Sequence, residues 1–193
     1  TPLGEAPLRL PLPGLHNVRN ALAAAALAAS AGAPLAAIVE GLSQAPVVAG
    51  RLVRIALTSG AQLIDDSYNA NPGSTAAAIE LLARSSGERW LVLGDMRELG
   101  TQAATLHREC GAHARAAGIE RLFAVGELAS EAAVAFGLGG HAFEDQAALI
   151  DALRSAMHPD ALILVKGSRG SSMERVVLAL TRDAAREVGE HVA

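Results

Sequence analysis

Gln62-Leu63-Ile64-Asp65-Asp66-Ser67-Tyr68-Asn69-Ala70-Asn71-Pro72 reads as a buried strand that ends in a polar turn and hands over to a helix. Leu63 and Ile64 are consecutive apolar residues, the mark of a strand covered on both faces. Asp66 therefore emerges at the strand end. A carboxylate there can hold a metal-bound water, a ribose hydroxyl or an amine. Pro72 disfavours helical backbone at Asn71, which would aim the Asn69 and Asn71 amides outward. Ser74 is expected to cap a helix over residues 74–84, whose free N–H groups favour an anion. A plain Asx-rich turn with a helix cap would read the same way.

The strand–turn–helix pattern repeats on the C-terminal side. Residues 90–93, 122–125 and 161–165 are short apolar strands, and 141–143 is a weaker one. Helices are expected over 101–117, 127–136, 146–157 and 172–182. Upstream, residues 52–57 and 62–65 flank a Thr58-Ser59-Gly60 turn, so they should form an antiparallel pair. The fold class is α/β: a Rossmann-like, mostly parallel sheet with helices on both faces.

The first residues differ in character. Residues 8–12 alternate weakly and could be a strand, broken by Pro11, Pro13 and Gly14. An Ala-rich helix should span 17–31, with Gly32 stopping it and Pro34 opening a second helix to about Leu42. Residues 46–50 read as a connector. The boundary is placed near Val47, giving units 1–47 and 48–193. The chain opens with Thr1-Pro2-Leu3-Gly4 and no Met, which suggests a fragment boundary or a processed start.

Composition bounds the partners. Of 193 residues, 51% are hydrophobic but only 3% aromatic, so the core must be built of Ala, Leu, Val and Ile. A net charge of −4 argues against nucleic acid as the main partner. The longest apolar run, 21–29, is too short to span a bilayer, so no membrane insertion is expected. A single cysteine, Cys110, forbids an internal disulfide and fits a reducing, cytoplasmic setting. Lys166 is the only lysine among 16 basic residues, which draws attention to its place at a strand end.

Ligands of open α/β sheets bind beyond the carboxyl ends of the strands. Three such ends carry polar, turn-forming sequence: residues 65–72, Leu93-Gly94-Asp95-Met96-Arg97-Glu98-Leu99-Gly100, and Val165-Lys166-Gly167-Ser168-Arg169-Gly170-Ser171-Ser172. The last reads as an anion site, with an ammonium, a guanidinium, hydroxyls and a helix start together. Each also fits a solvated loop. His107, Cys110 and His113 do not share one helix face, and no His-Glu-x-x-His or Cys-x-x-Cys occurs, so no protein-built metal site is expected. Gly-x-Ser-x-Gly and Gly-x-Gly-x-x-Gly are absent. The one lysine follows Val165, so there is no Walker A loop.

These motifs, in this order, resemble the Mur ligase family over nearly the whole chain. The likeness runs through residues 13–24 (Pro-Gly-Leu-His-Asn-Val-Arg-Asn-Ala-Leu-Ala-Ala), Gly50-Arg51-Leu52, residues 65–72, residues 93–100 and Lys166-Gly167-Ser168-Arg169. His-Asn-x-x-Asn and Gly-Arg are shared across the family and related folate-type ligases. The strings at 66–72 and 93–100 are similar to its D-alanyl-D-alanine-adding branch. The resemblance implies that 1–47 is the helical C-terminal part of a central ATPase domain and 48–193 the family's C-terminal Rossmann-like domain.

The resemblance also implies roles. Asn17 and Asn20 would meet the adenine end of ATP. Arg51 would reach its phosphates from the hinge, and Asp66 its ribose or the hinge network; these two would be the catalytic residues. Asn69, Asn71, Lys166, Ser168 and Arg169 would line the site for the dipeptide. ATP and Mg2+ would be held mainly by the central domain. The partners would be UDP-N-acetylmuramoyl-tripeptide and D-alanyl-D-alanine, joined through an acyl phosphate by a monomeric enzyme. Without a P-loop the chain alone should be inactive. A related ligase with another amino-acid substrate, or an isolated nucleotide- or partner-binding module, are the alternatives.

Overall fold

A computed structural model of the chain describes residues 2–12, 14–46 and 48–190. Pro13, expected to break the chain, and Val47, the expected boundary, lie outside them. The chain divides into two compact units, residues 1–48 and 49–193.

The first unit is a helix pair, α1 (Leu15–Ser30) and α2 (Leu35–Ser43). Gly32 ends α1 as expected, and the hydrogen bonds show how. With φ at +88°, it lets Gly32 N–H donate to Ala29 O and Ala33 N–H to Ala28 O, both at 3.0 Å. That is the Schellman arrangement, which satisfies carbonyls the helix end leaves open. Among the described residues of this unit, only Ala21, Ala25 and Ile38 are buried side chains. Residues 8–12 form no strand. Pro7 and Pro11 supply no N–H to a ladder, and among the described residues no strand pairs with them.

The second unit is a six-stranded sheet. Its strands are β1 (Val53–Ala56), β2 (Gln62–Asp66), β3 (Glu88–Gly94), β4 (Arg121–Val125), β5 (Gly140–Phe143) and β6 (Ala161–Lys166). The spatial order is β1-β2-β6-β3-β4-β5. Only β1 is antiparallel to its neighbour. The helices are α3 (Pro72–Ala83), α4 (Ala103–Ala116), α5 (Glu127–Phe136), α6 (Gln146–Ala156) and α7 (Glu174–Glu190).

Strand alternation sorts side chains to two cores. Leu91 and Leu93 of β3 join Ile79 and Leu82 of α3, Ala114 of α4 and Ala132 of α5. Trp90 and Val92 join Leu149 and Leu153 of α6 and Val176 and Leu180 of α7. Burying each such Leu or Val stabilises the fold by about 1.5–3 kcal/mol. Both faces of the central strands are therefore covered, and ligand access is confined to the sheet ends.

Two helix starts differ from expectation. Asn71, not Ser74, is the N-cap of α3. Pro72 fits the first helical position, where no N–H is needed, and Ser74 completes a capping box with Asn71. The closing helix begins at Glu174 after a short 3-10 turn over Arg169–Ser171, with Ser172 left-handed between them.

Candidate functional site

Topology assembles the three polar loops. β2, β6 and β3 are adjacent and parallel, so their carboxyl ends emerge side by side. β1 runs the other way, which brings its starting end to the carboxyl end of β2. Beyond the ladder the pairing continues, with Tyr68 N–H donating to Gly50 O at 2.9 Å. Arg51 thereby joins the same edge.

The centre of this edge is a buried ion pair. Asp66 and Lys166 are register partners on neighbouring strands. Lys166 Nζ lies 2.5 Å from Asp66 Oδ2 and donates to Asn69 O at 3.0 Å. The lysine is only 2% exposed. Its ammonium fixes the turn after β2 at two points. Asp65 tightens the same turn by accepting from Ser67 N and Ser67 Oγ, at 3.1 and 2.6 Å.

The loops after β3 and β6 are braced on each other. The Asp95 carbonyl accepts from Ser168 Oγ (2.6 Å), Ser168 N (3.0 Å) and Ser171 Oγ (2.8 Å). The Asp95 carboxylate turns the other way and accepts from Leu128 N and Ala129 N, at 3.1 and 2.8 Å, at the start of α5. Gly94 and Gly167 allow this approach, because a Cβ on either would fall within 2.7 Å of Met173. Behind the brace, Met96 N–H donates to His107 Nε2 at 2.9 Å. His107 Nδ1 must then carry the proton and donate to Ala103 O at 2.7 Å. Cys110 packs with Met96 and Ala70 in a small core under the loops, and burial, helped by Glu109, pushes its thiol up to about 11.

What remains open is a rim. Arg51, Tyr68, Asn69, Asn71, Arg97 and Arg169 are exposed. Asn69 and Asn71 each use a side-chain oxygen locally, on Ala70 N and Ser74 N. The guanidinium carbons of Arg51 and Arg169 lie 4.3 and 5.6 Å from the centre of the Tyr68 ring.

Within the second unit the expected site residues fall into two groups. Arg51, Asn69, Asn71 and Arg169 face solvent at one edge with half-buried Asp66. Lys166 and Ser168 are at that edge but buried, with their polar atoms engaged inside the protein. The Lys166 ammonium and the Ser168 and Ser171 hydroxyls are bonded to Asp66, Asn69 and Asp95, so they hold the loops together. Asn17 and Asn20 sit three residues apart in the first turns of α1, in the other unit. Tyr68 and Asp95 stand in the quoted loops without a role of their own, and His107 enters the sequence reading only as a rejected metal ligand. An aromatic in an Asn-rich turn was a usable signal for Tyr68. Nothing local marked His107, whose partner is eleven residues away in another element.

Among the described residues no group of three or more His, Cys, Asp or Glu could hold a metal ion. A groove of about 460 Å³ lies at the opposite, amino end of the sheet, between Arg54, Gln62, Gly87 and Pro159.

A family model described as Mur ligase, glutamate ligase domain, matches residues 50–169. The chain belongs to the Mur ligase family. It is 49% identical over 182 residues to UDP-N-acetylmuramoyl-tripeptide–D-alanyl-D-alanine ligase of Escherichia coli, covering 93% of this chain and 40% of that protein. The Bacillus subtilis ligase of the same name is 39% identical over 177 residues, covering 87% of this chain and 38% of that protein. A crystal structure of MurF from Acinetobacter baumannii matches with a TM-score of 0.84 and 37% identity, over 94% of this chain and 41% of that one. The chain thus spans about two-fifths of the length of these relatives.

Proposed function

We propose that the chain is the C-terminal part of an ATP-dependent amide ligase that joins D-alanyl-D-alanine to UDP-N-acetylmuramoyl-tripeptide in making a peptidoglycan precursor. One observation carries the reading. The loops at 65–72, 94–100 and 166–172 lie side by side at one sheet edge, in a chain 49% identical to the E. coli ligase of that name.

The roles follow from what each group leaves available. Arg51, exposed and without a carboxylate partner among the described residues, takes a phosphate oxygen of ATP. Asp66, oriented by Lys166, accepts from a ribose hydroxyl. Asn69 and Asn71 direct their remaining amide groups to the dipeptide. Lys166 and Ser168 act on the substrates through the loops they hold. ATP supplies the phosphoryl group that activates the tripeptide carboxylate. The chain contributes positioning and charge. Residues 1–47 belong to the central ATPase domain, with Asn17 and Asn20 toward adenine, and Mg2+ is held there. The enzyme is a cytoplasmic monomer.

The test is ligation by the full-length protein. Phosphate release with the UDP-tripeptide should require D-alanyl-D-alanine, and the 193-residue chain alone should release none. Turnover with D-glutamate or a diamino acid, and none with the dipeptide, would overturn the reading.

A further inference from the structure

Tyr68 stands apart from its neighbours in the turn after β2. Asp65, Asp66, Ser67 and Asn69 all have side-chain hydrogen bonds that hold the turn, whereas Tyr68 is 41% exposed and its ring meets two guanidiniums. Arg51 arrives from the start of β1 and Arg169 from the loop after β6. They are remote in sequence and supported by different strands. Among the described residues neither guanidinium has a carboxylate or hydrogen-bond partner; each faces the Tyr68 ring. The pattern differs from the other arginines that face an aromatic ring. Arg121 lies over Trp90 but also pairs with Glu88, and Arg115 lies near Phe136 but also donates to Leu138 O.

Two cations gathered on one ring repel each other, and the ring's negative face offsets that only in part. The arrangement is completed by an anion that accepts from both. A guanidinium presents paired N–H donors in a fixed plane, which suits a phosphoryl group with several oxygens. We propose that Tyr68 is a positioning residue that sets Arg51 and Arg169 around a single phosphate-class anion. This rests on the ligase reading and sharpens it: Arg169 moves from the dipeptide to the phosphate side of the edge, and Tyr68 enters the site. The aromatic ring, not the hydroxyl, performs the task.

The experiment uses the 193-residue chain and inorganic phosphate, following the arginine Nε–Hε signals by NMR. Arg51 and Arg169 should shift together with one midpoint, and acetate should shift them far less. Tyr68→Phe should keep that midpoint. Tyr68→Ala should weaken it roughly tenfold, the loss expected when two exposed cation–ring contacts are removed. Backbone amide signals of β2, β3 and β6 should stay in place in both variants, which separates lost positioning from lost folding. Response of only one arginine, different midpoints, equal response to acetate, or an unchanged midpoint in Tyr68→Ala would overturn the proposal. Failure of the full-length enzyme to use D-alanyl-D-alanine would leave these shifts untouched, so the two readings fail separately.

Discussion

Lys166 Nζ lies 2.5 Å from Asp66 Oδ2, on adjacent parallel strands, with the lysine almost wholly out of water and the carboxylate mostly so. The chain's only lysine is therefore committed to an ion pair at the end of its own strand. Removing one member of a buried pair leaves an uncompensated charge, which costs about 3–5 kcal/mol. Lys166→Met should lower stability by that order in a denaturant titration. Lys166→Met combined with Asp66→Leu should recover most of it, because the charge is gone. A double variant as unstable as the single one would mean the loss is one of packing.

Gly111 of α4 packs directly against the backbone of α5. A Cβ there would fall 2.0 Å from Ala132 O, which is backbone and cannot swing aside. Gly111→Ala should therefore destabilise by about 1–3 kcal/mol, despite alanine's better helix propensity. Thermal unfolding of the variant checks this. A rise in midpoint would show that the helices separate at little cost.

Cys110 should resist modification. Burial keeps its thiol protonated, with a pKa near 11, and thiolate is the reactive form. Ellman's reagent at pH 8 should react slowly with the native chain and rapidly once it is unfolded in guanidinium. Equal rates in the two states would contradict the packing of Cys110 against Met96.

Acid should weaken the fold through two carboxylates. Burial alone would raise Glu88, but hydrogen bonds from Trp90, His158 and Arg121 outweigh it and hold it below its ordinary value. Glu120 is likewise lowered, because its bonds from Arg89 overcome burial. A group whose pKa is depressed on folding gives its stability above the unfolded value, near 4.5 for both. That stability is lost as pH falls through the lower, folded value. The unfolding temperature should hold from pH 7 to 5 and drop below about pH 4. The double variant Glu88→Gln with Glu120→Gln should show a shallower acid limb.

The alternation of strands and helices was legible because apolar runs and glycine or proline punctuation are local signals. Residues 127–136 were placed as the helix the structure shows, since Gly126 and Gly137 flank it. The family and the three loops were legible as well. The distribution of work within the loops was not. Lys166 and Ser168 were legible as residues of a strand-end loop, but not as groups engaged inside the protein, because β6 is an inner strand with loops on either side. Its end is covered by Asp66 and Asp95, which no local pattern could reveal. Asn71 displaced Ser74 as the cap for a simpler reason. Pro72 can occupy the first turn of a helix, so the break it signals falls one residue before it.

The place of β6 between β2 and β3 has a consequence for biosynthesis. Of the six strands of this sheet, β6 is made last, yet it joins the two halves of the sheet. Until residue 161 emerges, the β1–β2 hairpin and the β3–β4–β5 ladder share no strand contact, and their inner edges stand unpaired. Such edges invite association with other chains. The nascent chain should thus depend on chaperones until β6 is made, and a ribosome stalled before β6 would carry an aggregation-prone intermediate.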